Sequence, residues 1–273
     1  MWPQATIQEV KRRRVIMANT LKERLERILP GGRGVWIPMD HGASSFPVEG
    51  LTDTEFVVDS VIRGGADAIV LQKGLLSYHH SRNGWDGYVC HISVSTIHGG
   101  ERSQYKVSVA TASEALLRGA NGVSAQVNLG DKHEPEMIQR LGELSRQAYL
   151  EGLPVLGMVY PRGANLVIEE GDSTRGVAHA ARIAWELGCH VVKVPWTGSP
   201  ESFSNVVEAV PIPVLLAGGE NEGDFSETLS IVREAMDVGC SGVCFGRQVF
   251  GSKDPESCVK ALREIVHAGE NTR

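Results

Sequence analysis

Long apolar runs are missing from this chain: nowhere does it hold the roughly 20 consecutive apolar residues that cross a bilayer. No charged-then-apolar leader stands at its start, so a reducing cytoplasm is the expected setting. The five cysteines, Cys90, Cys189, Cys240, Cys244 and Cys258, form no CxxC pair. Three of them sit in or beside apolar strand-like runs, where cysteine acts as a small hydrophobe. Nine histidines include the neighbours His79 and His80, yet no HxH or HExxH pattern and no zinc spacing occurs. Metal-dependent chemistry is disfavoured, and no metal or cofactor is expected. No GxGxxG follows the first apolar strand, which counts against a dinucleotide-binding sheet. No low-complexity linker divides the 273 residues, so one large domain is the simpler reading.

Charge is present but uneven. The net charge of −6 hides a basic start: residues 1–33 hold eight Lys/Arg against three Glu, which leaves the remainder at about −11. An acidic body argues against general nucleic-acid binding. The run Lys11-Arg12-Arg13-Arg14 reads as part of a basic extension over residues 1–19, a solvated flank whose disorder is left open. Met17 is an alternative start.

From the amphipathic segment Leu21 to Leu29 onward, one unit repeats. A helical stretch stops at glycine, two or three residues pass, and a short apolar run follows. The junctions at Gly64-Gly65, Gly119, Gly152, Gly188 and Gly239 suit the left-handed C-cap that glycine adopts without steric cost. Eight strands are expected, at 34–40, 67–73, 88–95, 122–128, 154–160, 190–196, 213–218 and 242–246. Helical patterns at 53–63, 134–150, 174–187, 224–238 and 255–267 separate most of them, with only 113–119 available between the third and fourth strands. Near-continuous apolar strands alternating with helices imply a parallel sheet covered on both faces. Eight units in this length suit a (β/α)8 TIM barrel over residues 20–273, with a helical N-terminal extension. A doubly wound open sheet is the alternative.

Such barrels act at the carboxyl ends of their strands. Here those ends carry Asp40, Lys73, Ser93 or Ser95, Asn128, Tyr160, Lys193, Gly218-Gly219 and Gly246-Arg247. Lys193 stands out, because His190-Val191-Val192-Lys193-Val194 puts a cation inside an apolar run. Burial lowers a lysine pKa, and a neutral amine is what imine formation with a carbonyl requires. The blander reading is a strand-end lysine that bends out to solvent. The glycine pairs after strands seven and eight suit a phosphate site, where backbone N–H groups approach an anion and Arg247 adds a forked donor. Asp40 reads either as a turn former or as an acid–base group, and Tyr160 either as a packed ring or as a proton shuttle.

From about residue 20 to 267 the chain resembles the archaeal-type class I aldolases, a group of fructose-bisphosphate aldolases and 2-amino-3,7-dideoxy-D-threo-hept-6-ulosonate synthases. The resemblance lies in Pro38-Met39-Asp40-His41-Gly42, Tyr160-Pro161-Arg162-Gly163, Val192-Lys193 with Thr197-Gly198, Ala217-Gly218-Gly219, and Gly246-Arg247 with Phe250. It implies Lys193 as the Schiff-base lysine, Tyr160 as proton donor and Asp40 as proton acceptor. It also implies that Asp40, His41, Gly42, Ala43, Ser44, Tyr160, Pro161, Arg162, Gly218, Gly219, Gly246 and Arg247 contact a phosphorylated ketose, in a homo-oligomeric enzyme. Met158, where the aldolases carry Trp, and Ala125-Gln126-Val127-Asn128 look more synthase-like. Val194-Pro195-Trp196 and Glu220, in place of the usual Pro after the glycine pair, depart from the pattern. The expected activity is transfer of a ketose-derived enamine to L-aspartate 4-semialdehyde, as in aromatic amino acid biosynthesis. Cleavage of fructose 1,6-bisphosphate or a related ketose phosphate is the second reading. A non-enzymatic sugar-phosphate sensor is the third, and it would have no use for Lys193.

Overall fold

The computed structural model describes residues 20–169, 171–219 and 224–268. Eight parallel strands run in chain order: β1 Gly34–Pro38, β2 Ala68–Gln72, β3 Tyr88–His91, β4 Gly122–Leu129, β5 Val155–Pro161, β6 Val191–Val194, β7 Val214–Ala217 and β8 Gly242–Cys244. Each pairs with the next, and β8 returns to β1 through the register Gly34 to Gly242. The sheet is a closed (β/α)8 barrel and not a doubly wound open sheet. The basic stretch 1–19 and Met17 lie outside the described residues.

Side chains alternate along each strand, so one set points into the barrel and the other towards the helices. Trp36, Val70, Val89, Leu156, Met158, Val191, Leu215 and Cys244 pack as the interior cluster. Ile28 and Leu29 join it from the end of a helix over 20–28, closing the amino-terminal end of the barrel. The Trp36 indole N–H donates to the Ile28 carbonyl at 2.6 Å, so the plug is bonded as well as packed. The outward set, including Val35, Ile69, Val123, Val192 and Val243, packs under the helices in the larger cluster.

Local chemistry sets the helix ends. Asp53 caps Thr54–Gly64 by accepting from the Phe56 N–H, and Gly65 ends that helix at a φ of 89°. Ser199 and Ser202 form a capping box on Pro200–Glu208, a helix the sequence reading did not assign.

The third strand departs from expectation. Its barrel ladder stops at His91, and Ser93-Val94 pairs instead with Val107-Ser108 in an antiparallel ribbon. The reason lies in Ser93, whose hydroxyl accepts the Gln126 backbone N–H at 2.9 Å. The neighbouring strand is satisfied by a side chain, and the chain is free to turn away.

Candidate active site

The period of two carries each interior face up to the mouth. Lys193 is the next inward residue after Val191, Tyr160 after Met158, His91 after Val89 and Gly246 after Cys244. Lys193 sits in register with Met158 on β5 and Leu215 on β7 and is 8% exposed. It does not bend out to solvent. It lines a cavity of about 630 Å³ at the carboxyl ends of the strands, together with Asp40, Tyr160, Cys244 and Arg247. The Tyr160 hydroxyl and the Cys244 thiol line the same cavity and act on the lysine's charge.

The electrostatics around Lys193 pull in two directions. Burial pulls the Lys193 pKa down, but Cys244, Tyr160 and Asp40 outweigh it, and the amine is held above its usual range. Burial pushes Tyr160 up and Cys244 up to about 11, so both are protonated near neutrality and Asp40 is the standing anion. Near neutrality Asp40 is thus the charge that favours the protonated form of the lysine. Lys73, at the end of β2, pairs with Glu114 at 3.1 Å and does not line the cavity.

Asp40 is half-enclosed, with its carboxylate 3.8 Å from His91 Nε2 and 4.0 Å from His41 Nδ1. Burial raises its pKa, but His91, His41 and Lys193 more than offset that and hold it below the usual carboxylate value. His91 is buried, and desolvation lowers it to about 4. Its ring is held between the hydroxyls of Ser124 at 2.8 Å and Ser93 at 3.2 Å. The neutral imidazole thus braces Asp40 from inside the barrel.

Two glycine-bearing loops form one side of the cavity. Gly219 has a φ of 65°, a left-handed turn that favours glycine. At Gly246 a Cβ would stand 2.6 Å from the Pro38 carbonyl oxygen, so only glycine fits between β1 and β8. Arg247 ties the two loops together by donating to the Gly219 carbonyl at 2.6 Å. Backbone N–H groups and a guanidinium are brought together as a phosphate requires. Glu220 lies outside the described residues.

Of the residues singled out, Asp40, His41, Ser44, Tyr160, Pro161, Arg162, Lys193, Gly218, Gly219, Gly246 and Arg247 line one cavity. Gly42 and Ala43 do not: they lie in the short helix Gly42–Ser45 that carries Ser44 to the rim. Asn128 turns from the cavity to donate to the Gln104 carbonyl at 2.6 Å. Lys106, Gln126 and Cys244 line the cavity and were not anticipated. Gln126 was legible, since β4 presents Ser124, Gln126 and Asn128 at a spacing of two.

A family model described as DeoC/LacD family aldolase matches residues 35–252. The 2-amino-3,7-dideoxy-D-threo-hept-6-ulosonate synthase of Halobacterium salinarum is 39% identical over 244 residues, 89% of this chain and 90% of its own length. A 2-amino-4,5-dihydroxy-6-oxo-7-(phosphonooxy)heptanoate synthase of Streptomyces griseus is 32% identical over 234 residues, 85% of this chain and 84% of its own. An archaeal fructose 1,6-bisphosphate aldolase superposes with a TM-score of 0.82 at 29% identity, over 91% of this chain and all of that one. A second such aldolase structure, with its catalytic lysine covalently bound to a carbinolamine intermediate of the substrate, has a TM-score of 0.81 at 28% identity and covers 90% of this chain and 99% of that one.

Proposed function

The chain belongs to the DeoC/LacD family of aldolases, and from that premise we propose a class I, metal-independent aldol transfer carried by Lys193. Its donor is a phosphorylated ketose, and its acceptor is L-aspartate 4-semialdehyde or a close relative. The observation that carries this reading is a buried lysine on the inward face of β6 that shares its cavity with a phenol and the only carboxylate among the cavity's described residues. The two relatives named as synthases make seven-carbon amino acids by their printed names, which supports an amino-acid-derived acceptor.

The ammonium of Lys193 first gives its proton to solvent water at the open mouth. The amine then adds to the ketone carbon of the donor, and the carbinolamine loses water to give an iminium. Electrons of the adjacent carbon–carbon bond flow into the iminium as Asp40 takes the hydroxyl proton; an aldehyde leaves and an enamine remains. The enamine carbon attacks the acceptor aldehyde, Asp40 returns the proton to the new alkoxide, and hydrolysis frees Lys193. Tyr160 exchanges protons with the carbinolamine oxygen, within reach of both groups. Gly218, Gly219, Gly246 and Arg247 hold the phosphate, which fixes the carbonyl beside Lys193.

Fructose 1,6-bisphosphate cleavage is the second reading, favoured by the aldolase structures; product analysis with the two acceptors separates it from the first. A sugar-phosphate sensor would leave the buried Lys193 without a role. Among the described residues no helix is long and apolar enough to cross a membrane. A cytoplasmic homo-oligomer is part of the proposal.

Borohydride treatment with dihydroxyacetone phosphate or fructose 1,6-bisphosphate, followed by intact-mass analysis and peptide mapping, tests the reading. A ketose-phosphate adduct on Lys193, lost in Lys193→Met, is expected. A folded protein that gives no adduct with either substrate would refute imine chemistry on these donors.

A further inference from the structure

The mouth carries more positive charge than one phosphate calls for. Lys106, Arg162, Lys193 and Arg247 line it, against one carboxylate, Asp40, among the described residues. Imine formation occupies Lys193, and Arg247 serves the glycine loops. Lys106 and Arg162 remain: Lys106 feels the attraction of Asp40 and the repulsion of Arg162, and neither cation forms an ion pair with a carboxylate among the described residues. Arg162 lies over the Tyr160 ring at 4.3 Å, which fixes its guanidinium at the rim.

The backbone around Lys106 is firmly built. Arg140 Nη1 donates to the Lys106 carbonyl at 2.7 Å, and the same guanidinium covers the Tyr105 ring at 4.5 Å. Asn128 holds the Gln104 carbonyl, and Gln126 in turn donates to Asn128 at 2.8 Å. A helix and a barrel strand therefore grip this loop from two sides, while its ammonium is left facing the cavity. A site prepared for a ligand has this form: supporting groups saturated, the recognising group open.

Position around the barrel gives the orientation. Lys106 lies in the loop after β3, held at the end of β4 by Asn128, whereas the glycine loops follow β7 and β8, three or more strands away in the closed order. The two sides differ in chemistry. The phosphate side offers glycine backbone and a guanidinium; the Lys106 side offers an ammonium among Ser95, Ser103, Gln104 and Gln126 side chains, with Arg162 nearby and no glycine. Side-chain donors without a glycine N–H cradle suit a planar carboxylate better than a phosphate. We propose that Lys106, flanked by Arg162, forms a second anion subsite that takes the carboxylate of the acceptor aldehyde and selects carboxylated acceptors over neutral ones. The acceptor's identity rests on the aldol reading above; the subsite itself does not.

Two arms test it. With dihydroxyacetone phosphate as donor, succinate semialdehyde, glyceraldehyde 3-phosphate and butanal are compared as acceptors by kcat/KM. The wild type should prefer succinate semialdehyde over butanal by about tenfold or more. Lys106→Met should erase that preference through KM, and Lys106→Arg should restore part of it. A preference unchanged in Lys106→Met overturns the proposal, as does a Lys106-dependent preference confined to glyceraldehyde 3-phosphate. The second arm needs no turnover: glutarate is titrated calorimetrically into Lys193→Met and into the Lys106→Met, Lys193→Met double variant. At least a tenfold loss of affinity in the double variant supports the subsite even if the aldol reading fails. Equal affinities overturn it even if imine chemistry is demonstrated.

Discussion

Lys193 and Asp40 act as one electrostatic unit, and the sign of their coupling is testable. A carboxylate beside an ammonium favours the protonated lysine, so it opposes the deprotonation that imine formation needs. Asp40→Asn removes the anion and leaves the desolvation, so the Lys193 pKa should fall. The rising alkaline limb of the trapping rate should move to lower pH, and trapping near neutrality should become several-fold faster. Complete turnover should fall by about 100-fold or more, because the hydroxyl proton has lost its acceptor. Single-turnover borohydride trapping across the neutral and alkaline range, beside steady-state assays, reads both effects; a limb that does not move would mean Asp40 does not set the field at Lys193. Lys193, Tyr160 and Asp40 were legible in the sequence because each is a polar residue at the end of an apolar run. Cys244 was not, since a cysteine in such a run looks the same whether it faces a helix or the catalytic cavity. Lys106 was hidden for another reason. Its place depends on Arg140 and Asn128, whose contacts with this loop span 34 and 24 positions.

Among the elements, the junction opposite the mouth carries an ionic cluster with no part in the proposed chemistry. Asp67, just before β2, accepts the Val35 backbone N–H at 2.8 Å, pairs with Arg263 at 3.0 Å and meets His267 Nε2 at 2.8 Å. One carboxylate thus joins the first two strands to the end of Pro255–Val266. Asp67→Ala leaves a buried N–H unpaired and strands a half-buried cation, which should cost about 3 kcal/mol, while the trapping of Lys193 in the folded protein is retained. Urea denaturation of the variant checks this; a loss under about 1 kcal/mol would show the cluster to be dispensable. The helices Thr54–Gly64, Glu134–Glu151 and Pro255–Val266 were legible from apolar spacing, with a cap residue at one end at least: Asp53 and Gly65, Gly152, and Asp254. Lys73–Asn83 was not, because KGLLSYHHSRN has no apolar stripe and buries only Leu76 and His79. Tertiary placement between β2 and β3, and not local pattern, makes it a helix.

For the whole molecule, barrel closure leaves a question at the end away from the cavity. Eight strands closed in a ring have no free edge, but the interior cluster is open below unless something covers it. The helix over 20–28 does so, with Ile28 and Leu29 against Trp36, Val89 and Leu156. Its attachment is specific: Arg24 donates to the carbonyls of Glu151 at 2.9 Å and Gly152 at 3.1 Å, where the longest helix turns into β5. This places the functional start of the domain near residue 20, and we propose residues 20–273 as one cooperative unit with 1–19 as an extension. Two truncations separate the plug from the extension. A chain beginning at residue 20 should unfold in a single transition at the wild-type midpoint and keep its borohydride adduct. A chain beginning at residue 30 should lose about 4 kcal/mol, the worth of two large buried aliphatic side chains, because Trp36 is then exposed from below. If the first truncation is as costly as the second, the extension belongs to the domain. If neither costs stability, the interior cluster is sustained by the strands alone, and the helix is a cover without energetic weight.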